Sequence, residues 1–231
     1  MPIDTNSGVV TMRPYREAMA RLTIVRDPDD RTRARNRAIA LRLDDEAWLR
    51  VSEAELVEFG FHEGAAVSPE EQARIETGLA RARSRAFVVR SLAVRAQSIA
   101  ELERKLAERS IPPAIAKEAI ELARGYGYLD DGALAGQLAR GMRERGYGRR
   151  RAERSLRLRG IPDELAVTAL DESFDRTGEQ DDALRALGRR TVGDSDSDRR
   201  RAAAFLIRRG FSAGAAWAVV RAAASAQPRR S

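Results

Sequence analysis

Residues 149–160 read RRRAERSLRLRG and residues 199–210 read RRRAAAFLIRRG, with seven of twelve positions identical at an offset of fifty. Fifty residues in the other direction, LAERSIP (106–112) falls under LRLRGIP (156–162) and LIRRGFS (206–212). Leu106, Leu156 and Leu206 thereby align, then Arg109, Arg159 and Arg209, then Ser110, Gly160 and Gly210, then Ile111, Ile161 and Phe211. Ile115, Leu165 and Ala215 continue the register downstream. A pattern with such a period marks a supersecondary unit that cannot bury its apolar face alone and stacks on its neighbours.

Each copy reads as three helices. A helix running into leucine ends at Ser or Gly, where a left-handed residue closes it. Pro112 or Pro162 then follows, suited to the first turn of the next helix because its missing N–H has no intrahelical partner there. The Leu and Ile flanking the break, with Ile115 or Leu165 one turn on, are expected to form the inner corner of a bundle. The fold class is therefore mostly α: three tandem three-helix repeats in an elongated row.

Outward from the repeats, residues 1–19 are polar and aperiodic and read as a flexible tail, with Met12 or Met19 as alternative starts. RLTIV (21–25), RAIALRL (37–43) and AWLRV (47–51) read as three short strands of a β-meander, with DPDDRTR (27–33) as a loop and DDE (44–46) as a tight turn. Ser52 with Glu55, and Ser68-Pro69 with Glu71, carry the serine-then-carboxylate signature of helix starts. The expected organisation is a tail (1–19), a β-rich extension (20–67) and three repeats (68–128, 129–177 and 178–231).

Composition narrows the function. Among 231 residues there is no cysteine, which excludes disulfides, thiolate nucleophiles and zinc–thiolate sites and fits a reducing compartment. No apolar run approaches the length of a membrane helix, and MPIDTNSGVV has no basic-then-apolar signal region, so a cytoplasmic protein without membrane contact is expected. The 42 basic residues exceed the 35 acidic ones, and all but Lys105 and Lys117 are arginine. Guanidinium groups match phosphates and carboxylates in bidentate geometry, which points to a polyanion or an acidic protein surface as partner. Residues 138–160 hold nine arginines against Glu144 and Glu153.

Nothing points to catalysis or a cofactor. His62, the only histidine, sits in a Phe-His-Glu-Gly turn without a second ligand or nucleophile. Phosphate-binding glycine loops and paired metal-ligand spacings are absent from the sequence. Asp130-Asp131 reads as a helix cap rather than a metal site. Arg150, Arg154 and Arg157 are spaced four and three apart on one helical stripe, with Ala152 and Leu156 on another. The equivalent positions elsewhere are Ala100, Arg104 and Ala107, and Arg200, Ala204 and Ile207. The full stripe belongs to the middle repeat alone, for which solubility is a poor reason, so a contact surface stands beside a solvated face as its reading. Tyr126, Tyr128 and Tyr147 lie at helix joints, where packing is the expected use and base stacking the alternative.

Ser98 followed by Glu101-Leu102, then GYGYLDD (125–131), RGYGRRRA (145–152) and the Leu156…Gly160-Ile161-Pro162 corner resemble, in this order, the RecX regulators of bacterial RecA recombinase. The resemblance covers roughly residues 80–225, and VEFGFHEG (57–64) resembles the end of the N-terminal extension of longer members. Phe211-Ser212 departs from the usual Ile-Pro. The resemblance implies three tandem three-helix units. It also implies binding to RecA, in the groove of its DNA-bound filament, to limit filament growth, ATP hydrolysis, strand exchange and co-protease activity in recombination, repair and the SOS response.

On that reading the expected RecA- or DNA-binding residues are Arg104, Lys105 and Arg109 in the first repeat. The middle repeat adds Arg145, Arg149, Arg150, Arg151, Arg154, Arg157 and Arg159, and the third adds Arg199, Arg200, Arg201, Arg208 and Arg209. Two rival readings are a helix-turn-helix-like DNA-binding protein and a helical scaffold for another acidic partner. The first is disfavoured by Glu118, Glu121, Asp163, Glu164, Asp171 and Glu172 on the helices that would enter a DNA groove.

Overall fold

The computed structural model describes residues 19–26, 38–174, 178–188, 190, 192–193 and 195–225. The tail up to residue 18, Met12 and the expected loop 27–33 lie outside them. The protein is mostly helical with a small N-terminal β region, and it divides into two units, residues 1–80 and 81–231.

In the first unit, β1 (Ala20–Val25), β2 (Ile39–Leu43) and β3 (Glu46–Val51) form the expected antiparallel meander. Asp44 and Asp45 take the two left-handed positions of the β2–β3 turn, with φ of 47° and 67°, a conformation that Asp tolerates better than most residues. After α1 (Glu53–Glu58) comes a strand that the sequence reading omits, β4 (Ala66–Val67), giving the order β3-β2-β1-β4. Leu22, Leu41, Val51, Phe61 and Leu79 are buried on one face of this sheet. Both expected serine caps form: Ser52 and Glu55 exchange backbone bonds at the start of α1, and Ser68 accepts from the Glu71 N–H at the start of α2 (Pro69–Val94).

The second unit contains residues 81–94 of α2, then α3 (Ile99–Ala107) and α4 (Pro113–Gly125). The next three helices are α5 (Asp131–Glu144), α6 (Arg149–Leu158) and α7 (Asp163–Ser173). The last three are α8 (Glu179–Leu187), α9 (Asp196–Arg208) and α10 (Ala213–Ser225). Three apolar clusters correspond to the three repeats, centred on Leu102 and Leu106, on Leu156 and Leu170, and on Leu206 and Phe211.

The corner between the second and third helix is the same in all three repeats. Ser110, Gly160 and Gly210 have φ of 56°, 70° and 96°. The next residue bonds back across the turn: Ile111 to the Leu106 carbonyl, Ile161 to Leu156 and Phe211 to Leu206, each at 3.2 Å. This pair of left-handed residue and reverse bond is a Schellman closure; it buries the leucine in every repeat, with Ile161 and Phe211 buried on the far side and Ile111 partly so. Pro112 and Pro162 stand one position earlier than expected, as N-caps of α4 and α7. Leu165 is 37% exposed, so it does not form the inner corner: Ala166, Ala169 and Leu170 supply the buried stripe of α7. Among the described residues no helix is long and apolar enough to cross a membrane.

Candidate functional site

The corner does more than turn the chain. Gly160 lies so close to α3 that a Cβ on it would stand 2.5 Å from the Ala100 Cβ, and a Cβ on Gly210 would stand 2.5 Å from the Arg151 Cβ at the start of α6. Each corner therefore seats on the first turn of the second helix of the preceding repeat. The two joints are related by the fifty-residue period but use different chemistry.

At the first joint, Ser98 and Glu101 form a capping box at the start of α3, and the Ser98 hydroxyl also donates to the Arg159 carbonyl. Arg159 reaches back with Nη2 at 2.8 Å from the Glu101 carboxylate and 2.8 Å from the Ala96 carbonyl, and its side chain is only 18% exposed. Burial alone raises the Glu101 pKa, but hydrogen bonds from Arg159, Arg95 and the Ser98 backbone outweigh it and hold the carboxyl at about 2. Asp130 caps α5 as expected, accepting from the Ala133 N–H at 2.8 Å. Its neighbour Asp131 accepts instead from the Ile99 N–H at the start of α3, and burial pushes its carboxyl up.

At the second joint the position of Ser98 is taken by Gly148 and that of Glu101 by Arg151, so neither side chain can cap α6. The corner's own backbone does so: Gly148 N–H donates to the Arg209 carbonyl at 2.9 Å and Arg150 N–H to the Gly210 carbonyl at 3.2 Å. Arg209 bonds the Gly146 carbonyl at 3.1 Å and lies over the rings of Tyr147 and Phe205. Arg109, the third member of the aligned set, stays within its own repeat, 4.0 Å over the Phe87 ring.

Beside the second joint runs a groove of about 720 Å³ between α6 and the end of α9. Arg145, Arg150, Arg151 and Arg154 line it from the middle repeat and Arg208 from the third, together with Met142, Leu158 and Phe211. No Asp or Glu lines it, and among the described residues no carboxylate pairs with these five arginines.

The structure thus divides the expected binding residues. Arg145, Arg150, Arg151, Arg154 and Arg208 converge on the groove. Arg157 does not line the groove with Arg150 and Arg154; it pairs with Glu153 one turn back at 3.0 Å. Arg149 pairs with Asp171 at 2.7 Å, Arg199 lies 3.7 Å from Asp196, and Arg201 pairs with Asp198. Arg104 and Arg200 are exposed, and Lys105 and Arg109 border a separate hollow beside Phe87. Arg159 and Arg209 belong to the joints. Tyr147 packs at its joint as expected, whereas Tyr126 and Tyr128 are 69% and 67% exposed.

Comparison with known proteins fits this architecture. The family description "RecX, second three-helix domain" matches residues 130–170, the span of α5 to α7. A regulatory protein RecX of Halorhodospira halophila is 36% identical over 154 residues, 65% of this chain and 92% of that protein. Those of Mycolicibacterium vanbaalenii and Deinococcus radiodurans are 34% and 32% identical, covering 60% and 62% of this chain and 81% and 69% of their own. A crystal structure of regulatory protein RecX shares the fold with a TM-score of 0.56 at 20% identity, over 87% of this chain and 98% of its own. From the repeat architecture and from these relatives together, the chain belongs to the RecX family of regulatory proteins.

Proposed function

We propose that this protein regulates RecA in the bacterial cytoplasm by binding the RecA–DNA filament, and that it limits filament growth, ATP hydrolysis, strand exchange and co-protease activity without chemistry of its own. The observation that carries the binding surface is the α6–α9 groove, where five arginines from two repeats face one hollow with no carboxylate among its walls. Exposed cations on a solubilising face are ordinarily interleaved with acids, as Arg157 is with Glu153. Concentration of one sign in a concave site raises the local potential and favours an extended anion. Phosphates of the filament's DNA strand are the partner that this groove suits best. The carboxylates on α4 and α7 disfavour entry of those helices into a duplex groove.

The test is equilibrium binding to RecA filaments assembled on single-stranded DNA with a non-hydrolysable ATP analogue. The proposal expects saturable binding that weakens with salt and with replacement of Arg150, Arg154 and Arg208. Binding that ignores both would point to the scaffold reading.

A further inference from the structure

We infer that the joint between the second and third repeats is a clasp weakened by its own arginines, and that a phosphate chain seated in the α6–α9 groove tightens it. The inference rests on the groove as a site for DNA phosphates and adds what occupancy does to the protein.

Like charges meet across this joint. Arg208 of the third repeat lines the same hollow as Arg145, Arg150, Arg151 and Arg154 of the middle one, so both repeats present positive charge to one groove without an acid between them. The start of α6 sharpens the conflict. Its first turn holds Arg149, Arg150 and Arg151 and no acid, although the positive end of a helix dipole disfavours cations. At the same place in the first joint a carboxylate, Glu101, receives the corner arginine and caps the helix. The second joint has only carbonyl and ring acceptors for Arg209, and it is held by the backbone bonds from Gly148 and Arg150 and by arginine bonds to carbonyls, including Arg151 to the Arg208 carbonyl at 3.3 Å, with no carboxylate to offset the like charges. A chain of phosphates between Arg208 and the arginines of the middle repeat would replace repulsion by attraction on both sides at once. Screening by salt would relieve part of the same repulsion without any ligand.

Hydrogen exchange on the full chain tests this, read at Gly148 and in peptides covering the Arg209–Phe211 corner. Raising sodium chloride from about 0.05 to about 0.5 M should slow exchange there, while exchange at Ser98–Leu102 in the first joint does not slow, since screening weakens an attraction in that place. At low salt, saturation with a single-stranded oligothymidine should slow Gly148 by about five-fold or more. The variant Arg154→Gln/Arg208→Gln should slow Gly148 at low salt without any ligand. Faster exchange at Gly148 in high salt or in that variant would overturn the clasp. If the oligothymidine binds, by fluorescence anisotropy, yet leaves Gly148 unchanged, the groove reading survives and the clasp does not. If it does not bind at all, the groove reading itself falls and takes the phosphate-driven tightening with it.

Discussion

Arg159 of the middle repeat stands 2.8 Å from the Glu101 carboxylate of the first, while Arg209, fifty residues on, finds carbonyls and aromatic rings in place of a carboxylate. One repeated arginine thus joins repeats in two ways, and the two joints should respond differently to acid.

Glu101 is depressed from 4.5 to about 2, so its contribution to stability is fully present above pH 4.5 and is lost as pH falls toward 2. Asp131 has the opposite sign: burial raises its carboxyl, so protonating it on acidification favours the fold. Replacing Glu101 with Gln isolates the first effect. Chemical denaturation across pH 2–7 should show the parent more stable than Glu101→Gln at neutral pH, with the gap narrowing between pH 4.5 and 2. A gap that does not depend on pH would mean that the carboxylate charge does not hold the joint.

Gly160 combines a φ of 70° with the 2.5 Å approach to Ala100. Gly160→Val should therefore cost more than about 1 kcal/mol, through strain at the left-handed residue and through displacement of the corner from α3. Gly125, with open space around its Cβ position and an ordinary φ, is the control: Gly125→Ala should leave the melting curve within experimental error of the parent.

Tyr147 packs against the middle core beneath Arg151 and Arg209, whereas Tyr126 and Tyr128 are exposed. Tyr147→Ala should lower stability by about 2 kcal/mol or more, and Tyr126→Ala by less than about 0.5 kcal/mol, in parallel thermal melts.

The corner was legible in the sequence because its determinants are local. Leucine, a residue able to turn left-handed and an apolar follower lie within one short stretch, and the period of fifty repeats them. The serine caps and the Asp44-Asp45 turn are legible for the same reason. What the sequence could not show is where long side chains reach. Arg159 and Glu101 are 58 residues apart and meet only once the corner has docked. Arg154 and Arg157 share a helical stripe, yet only Arg154 lines the groove while Arg157 pairs with Glu153. β4 has two residues, too few for an alternating pattern, and exists because β1 pairs with it. Tyr126 and Tyr128 follow helix α4 and stay largely exposed, which their ring chemistry does not reveal.

For the groove, the triple change Arg150→Ala, Arg154→Ala and Arg208→Ala should weaken binding to single-stranded DNA and leave the fold intact, since none of the three is buried. For every phosphate that the variant no longer neutralises, the slope of log K against log salt should flatten by roughly 0.7. Arg157→Ala, outside the groove, should change neither.

Regulation of the filament through the groove is put at risk by DNA-dependent ATP hydrolysis of the cognate RecA, titrated with the parent protein and with the triple groove variant. The parent should suppress hydrolysis at well below one copy per RecA monomer, and the variant should need a clearly higher concentration for the same effect. Unchanged hydrolysis at a several-fold excess of the parent over RecA would contradict the proposed function.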